Sequence, residues 1–359
     1  MPIETPRFTL RSLPRLAAIY AAAALAGLLF AWIGFPLPWL VGAIVFAAIA
    51  TISGVDVRVP LITRPLGQVL IAGSVGLAFT PEAISVILAN ILPMMALAVL
   101  TVGAGFLAAA VLARLAHADV MTASLAMVPI GPVESANLAI RYGLNPGPVV
   151  FAQSTRIVLI IVIIPPIIVA ITGSSGDLAA ALSTTPITLE GTALLFGLAL
   201  VAGIVLRRLK IANPFFLGPL AASAVAAATG LPVTPFPFEV IAGAQVILGV
   251  WLGGMFDRDL MAKAGRYVPA TLLATLSLIA LCAVMGLGVT AVTGLPWTTM
   301  ALASAPGSVT EMALTAKMLG DGVALVTAFH LTRIFMVTPA APLIFRATAW
   351  MAGRMGMRN

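Results

Sequence analysis

Apolar runs of 17 or more residues recur from one end of this chain to the other, and nothing else in the sequence restricts its folding so much. A water-soluble core cannot hide that much apolar surface, whereas lipid solvates it. Hydrophobic residues fill 61% of the 359 positions and charged residues only 9%. Gly (32) and Pro (26) are numerous, as membrane helices tolerate when neighbouring helices satisfy the freed backbone groups. The chain therefore reads as an all-α polytopic membrane protein. Its first apolar run follows several arginines and resembles a signal peptide. An equivalent run recurs mid-chain, so a retained helix is expected.

The recurrence extends to polar and turn residues. A shift of 177 superposes Pro129 on Pro306, Glu134 on Glu311, Gly143 on Gly320, Thr155-Arg156 on Thr332-Arg333 and Pro165 on Pro342. The same shift puts Gln68 on Gln245, Gly76 on Gly253 and Phe79 on Phe256. A shift of 176 aligns 37–54 with 213–230. The expectation is two copies of one unit, residues 1–176 and 177–359.

Each copy holds six apolar segments. In the first they lie near 14–34, 38–54, 65–80, 90–115, 121–140 and 147–172. In the second they lie near 190–209, 214–230, 240–256, 267–293, 297–318 and 323–346. The fifth segment is broken halfway, by Pro129-Ile130-Gly131-Pro132 or by Pro306-Gly307-Ser308, and carries a glutamate just after the break. If all twelve segments cross, the loop Lys and Arg divide 9 to 8 between the two sides, with no bias. If each fifth segment is a re-entrant helical hairpin, the division changes. Of 19 basic residues, Arg156 and Arg333 lie within segments, Lys317 falls outside, and the remaining 16 fall inside. The acidic loop residues Asp177 and Glu190 fall outside. That asymmetry fits positive-inside orientation with cytoplasmic N- and C-termini in a bacterial inner membrane. Five crossings per copy would invert the second copy relative to the first, bringing the two hairpin tips toward mid-membrane, as in many secondary transporters.

Both tips read as helix N-termini. Ser308-Val309-Thr310-Glu311 fits a capping box, and Gly131-Pro132-Val133-Glu134 supplies an N-cap glycine, an N1 proline and a glutamate at N3. Such ends attract anions. Each glutamate either caps its own half-helix or also binds a coupling H⁺ or Na⁺ or lines a substrate site. Arg156 and Arg333 each begin an apolar run within the sixth segment, with Gln153 or His330 one turn before them. A charge inside a span costs about 2.5–3.5 kcal/mol on insertion scales. Pairing with Glu134 and Glu311, 22 residues upstream in both copies, would offset much of that. Either a structural ion pair or a bidentate ligand for an anion follows.

The substrate- or ion-binding candidates are thus Pro129, Gly131, Glu134, Asn137, Gln153, Arg156, Pro306, Gly307, Ser308, Glu311, His330 and Arg333. Asn137 has only Leu314 as its counterpart in the other copy, so a role for it would be confined to the first half. Gln68 and Gln245 suggest interhelical hydrogen bonds, and glycines 42, 218, 76 and 253 suggest close helix packing. His117, beside Arg114 and Asp119, reads as solvated.

The duplicated pattern Pro129/Glu134/Gly143/Arg156/Pro165 and Pro306/Glu311/Gly320/Arg333/Pro342 resembles the bacterial membrane AbrB duplication family. Its members carry labels as transcriptional regulators, ammonia monooxygenases or transporters. The resemblance covers nearly the whole chain and is strongest in the second block. The first block departs, with Pro-Ile-Gly-Pro where Pro-Gly-Gly or Pro-Gly-Ser is typical. The resemblance implies kinship more than chemistry.

The residues weigh those labels. A monooxygenase needs several His, Cys or carboxylate ligands for copper or iron. Two histidines and one cysteine, Cys282, do not supply them, so no enzyme activity, metal or cofactor is expected. Direct regulation would need a basic soluble module for nucleic acid, and every loop is short. No P-loop is visible. The leading expectation is a secondary transporter of a small anionic solute. The alternative is a membrane sensor or partner-binding protein that affects gene expression indirectly. The bilayer and a small molecule or ion are the expected partners, and a homo-oligomer is compatible with both readings.

Overall fold

A computed structural model describes residues 13–57, 59–60, 62–173, 187–256, 258, 261, 265–320 and 322–354. Among them are fifteen helices and no strand. The first half contributes α1 (Leu13–Trp32), α2 (Pro38–Ile52), α3 (Thr63–Gly76), α4 (Pro81–Ala89), α5 (Ile91–Ala116), α6 (Val120–Met127), α7 (Pro132–Arg141) and α8 (Pro146–Thr172). The second contributes α9 (Leu189–Arg208), α10 (Pro214–Ala228), α11 (Phe238–Gly253), α12 (Tyr267–Thr293), α13 (Trp297–Ser304), α14 (Val309–Leu319) and α15 (Val323–Arg354). Local chemistry sets several starts. Asp119 Oδ2 accepts from Thr122 N at 2.9 Å ahead of α6, and Thr188 Oγ1 accepts from Gly191 N at 3.2 Å ahead of α9. α2 and α10 both begin with proline after a left-handed residue, Leu37 or Asn213, each with φ of 52°.

Six helices are long and apolar enough to cross a membrane: α1, α5, α8, α9, α12 and α15 through Thr348. Leu25 is 67% exposed and Leu343 66%, surfaces that suit lipid. The ten expected spans map onto ten helices, but four of them are short. α2, α3, α10 and α11 have 15, 14, 15 and 16 residues. At 1.5 Å per residue they reach about 21–24 Å, less than a hydrocarbon core of ~30 Å. α3 attains span length only with α4, across a bend of 92°. The sequence reading did not anticipate α4. It starts at Pro81, and the Thr80 hydroxyl accepts from Ala83 N at 3.2 Å. The fifth segments are pairs of short helices, α6 with α7 (8 and 10 residues) and α13 with α14 (8 and 11). None of these four is long enough to cross.

The fold divides into two compact units, and each draws on both halves of the sequence. One holds the chain up to Leu88, Pro165–Gly254 and Ala313–Ala324. The other holds Ala89–Ile164, Met255–Met312 and the chain from Leu325 onward. The expected repeat boundary at 176/177 lies outside the described residues, as do Arg7, Arg11, Arg58, Asp177, Lys263 and Arg358.

In the first unit, close packing recurs in register. A Cβ on Gly42 would lie 2.6 Å from Ala26 O, and one on Gly218 would lie 2.6 Å from Ala202 O, each residue displaced by 176. A Cβ on Gly253 would lie 2.5 Å from Ile44 O, and Gly76 abuts Leu220 O and Ser223 in the matching place. These four glycines bring backbones together, as expected. The second unit is built around α5, α12 and the two broken segments, with Ala108, Leu112, Met127, Ala152, Leu278 and Cys282 in one buried cluster.

Candidate functional site

The two breaks lie in the second unit. In the first, α6 ends at Met127, Val128 is extended, and Gly131 turns the chain into α7 with φ of 99°. Only glycine takes that conformation readily. A Cβ on Gly131 would also lie 2.7 Å from Glu134 Oε2, so the carboxylate folds back over the N-cap residue. That is the reciprocal half of a capping box. In the second break, Met312 N donates to Ser308 O at 3.1 Å, placing Ser308 at the N-cap of α14. Glu311 is in the first turn and is buried. Pro129 and Pro306 are buried, as is Gly307. Both glutamates thus stand at the positive ends of half-helices.

Each arginine serves the opposite end of its break. Arg156 Nη1 donates to Met127 O at 3.0 Å, and its Nη2 donates to Gln153 Oε1 at 2.6 Å. Gln153 Nε2 in turn donates to Leu125 O (2.8 Å), Val128 O (2.9 Å) and Ser135 Oγ (2.8 Å). In the second copy Arg333 Nη1 donates to Ala305 O at 2.9 Å, and Nη2 reaches Gly307 O and His330 Nδ1. His330 Nε2 meets Leu302 O at 3.0 Å. Gln153–Leu125 and His330–Leu302 are the same contact displaced by 177. With Nδ1 accepting from Arg333, His330 carries its proton on Nε2, the tautomer that can donate to Leu302 O. Histidine and glutamine therefore do one job: accept from the arginine and donate to the first half-helix.

This corrects the expected Arg156–Glu134 and Arg333–Glu311 pairs. The arginines bind carbonyls where α6 and α13 stop, which the helix leaves without intrahelical donors and at the negative end of its dipole. The glutamates occupy the other side of the break. Asn137 is exposed, away from these contacts. Lys317, expected in an external loop, is half-buried, with Nζ donating to Ser74 O at 2.8 Å and to the Ser74 hydroxyl. His117 is exposed, as expected. Gln68 makes its interhelical bond, Nε2 to Asn213 Oδ1 at 3.2 Å. Gln245, fully buried, makes none at either end of its amide.

The two arginine cages are neighbours. Gly307, whose carbonyl Arg333 holds, packs toward Ile160, one turn along α8 from Arg156; a Cβ on it would lie 3.4 Å from Ile160 Cγ2. Cys282 clusters with Met127, whose carbonyl Arg156 holds. One turn on, Gly286 abuts Ser304 at the end of α13. Arg156 is 2% exposed and Arg333 6%, their hydrogen-bond partners are neutral, and Nε of each has none. Two buried cations so arranged suit an anion, since each guanidinium keeps an N–H to give. Sequence reasoning missed Ser135 and Cys282. Ser135 adjoins Glu134 and was within reach of it, whereas a lone cysteine in an apolar helix carries no signal.

Residues 39–349 match the family model described as "Transition state regulatory protein AbrB". The chain is 24% identical over 353 residues to "Uncharacterized protein YhjN" of Bacillus subtilis (strain 168), covering 91% of each chain. It is 32% identical over 149 residues to "Putative regulator AbrB" of Escherichia coli (strain K12), covering 42% of this chain and 43% of that one.

Proposed function

This chain belongs to the AbrB family, and on that footing we propose that it is a secondary transporter of a small anionic solute in the bacterial inner membrane. One observation carries the reading: two buried arginines, one from each sequence copy, are held at broken-helix ends with Nε unpartnered and neutral hydrogen-bond partners. A merely structural arginine could give every N–H to the tip carbonyls. An anion bound between half-helices near mid-membrane is a recurrent transporter arrangement. The inverted orientation of the halves, with both termini inside, belongs to the same proposal and is supported by the 16 inside basic residues. The glutamates in the first turns supply groups for a coupling H⁺ or Na⁺.

The test is uptake by proteoliposomes, screening small carboxylates and inorganic anions under proton and sodium gradients. Arg156→Ala and Arg333→Ala should each abolish uptake in protein that still inserts. His330→Gln should preserve it, because Gln153 does the same work in the other copy. Uptake that survives both arginine substitutions overturns the assignment. A second reading, indirect action on gene expression through a partner, draws on the regulator name carried by the Escherichia coli relative. It prevails if no anion moves and a co-purified partner alters transcription.

A further inference from the structure

The two arginine cages leave the same group ungiven and stand a fixed step apart. Arg156 and Arg333 each donate from Nη1 to a helix-end carbonyl, and each keeps a buried Nε–H with no partner. The step between them can be read along two helices of the second unit. On α12, Cys282 packs with Met127, whose carbonyl Arg156 holds. Gly286 abuts Ser304, next to Ala305, whose carbonyl Arg333 holds. Cys282 and Gly286 are four residues apart, about 6 Å at 1.5 Å per residue. On α8, four residues again separate Arg156 from Ile160, the residue against Gly307, whose carbonyl Arg333 also holds. The cages are therefore about one helical turn apart, and their partners (three carbonyls, Gln153 and His330) are neutral.

We propose that the solute is a short dicarboxylate that sets one carboxylate on each arginine. This rests on the transport reading and names the class of solute for that same site. A lone carboxylate or a tetrahedral oxyanion holds its oxygens too close together to meet two donors one turn apart. The carboxylates at the ends of a four-carbon chain have the reach. Each takes a charge-assisted hydrogen bond from a guanidinium whose free N–H is otherwise a buried, unsatisfied donor. The second carboxylate binds at the effective concentration set by the first, so the two ends reinforce each other. Arg156 and Arg333 occupy equivalent positions at a shift of 177, and two like seats suit a solute with two like ends.

The experiment uses the full-length protein at neutral pH, both in detergent and in proteoliposomes. The probes are succinate, oxalate, butyrate and inorganic phosphate. The rise in unfolding temperature with probe concentration reads binding without transport, and uptake of radiolabelled succinate reads transport. Succinate should bind at least about tenfold more tightly than butyrate, the return of one further charge-assisted hydrogen bond. Oxalate, with its carboxylates too close together, and phosphate should rank with butyrate. Arg156→Gln and Arg333→Gln should each bring succinate down to the affinity of butyrate, while butyrate, which needs one arginine, changes little. The ranking on the unaltered protein decides the matter even where a variant fails to fold. Butyrate, oxalate or phosphate binding as tightly as succinate overturns the dicarboxylate and leaves the anion transporter standing. So does a lead of succinate over butyrate that survives undiminished in both variants. If no anion binds or moves, the transport reading and this inference fall together.

Discussion

Gln245 offers the sharpest quantitative test of the packing. It sits on α11 on the face that Gly249 and Gly253 press against α2, where a Cβ on Gly249 would lie 2.7 Å from Leu40 O. Parallel register along the two helices carries Gln245 to the first turn of α2, beside Leu37. In the other copy the same geometry sets Gln68 against Asn213, and those two amides bond at 3.2 Å. Leu37 replaces Asn213, so the second glutamine keeps its burial and loses its partner. Both ends of the Gln245 amide are bare, so exchanging its O and N would change nothing. An unsatisfied buried polar group costs about 1–3 kcal/mol in protein mutational data. Gln245→Met keeps the length and volume and removes both orphan groups, so it should stabilise the protein by about 2 kcal/mol. Gln68→Met breaks a made bond and should destabilise it by about 1 kcal/mol, because half-buried Asn213 can turn to water. The two variants then differ by about 3 kcal/mol, or roughly a hundredfold in the folding equilibrium. Denaturant unfolding of purified protein in one detergent, followed by tryptophan fluorescence, measures it. If Gln245→Met is destabilising, the amide has an occupant in solution, and the reasoning from repeat symmetry fails.

The other expectations concern the breaks and the close contacts. Gly131→Ala should destabilise by about 1–2 kcal/mol, because an alanine must adopt φ of 99° and its Cβ meets the Glu134 carboxylate; unfolding midpoints check it. Gly253→Ala should cost about 1–3 kcal/mol through forced separation of α11 from α2, while Gly243→Ala, with open space around it, should be neutral or stabilising. His330→Leu should destabilise where His330→Gln does not, since leucine leaves Leu302 O and Arg333 without their shared partner; parallel melting curves of the two variants decide it.

Much of the architecture was legible because polar and turn residues recur in register at a shift of 177, and these are not placed by apolar composition alone. Pro129 with Pro306 and Gly131 with Gly307 or Ser308 marked the two breaks, and both appear as interrupted helices. The count of ten full spans was less secure for a physical reason. Apolarity does not distinguish a helix solvated by lipid from one buried by protein, so short packed helices such as α2 and α11 read like spans. α4 escaped notice because its nine residues are too few for periodicity to speak.

The site was legible in its members and misread in its connections. A sequence shows charges, and opposite charges a fixed distance apart invite pairing. It does not show the carbonyls that an interrupted helix strands at its own end. Once the break exists, each side has a distinct electrostatic demand: the last turn of α6 or α13 needs donors, and the first turn of α7 or α14 needs acceptors. Arg156 and Arg333 answer the first demand, and the position of Glu134 over Gly131 answers the second. A glutamate–arginine bridge would have left both helix ends unsatisfied inside the fold. The backbone therefore outbids the side-chain pair, and the charges that sequence reasoning married are kept apart by the break that brought them close.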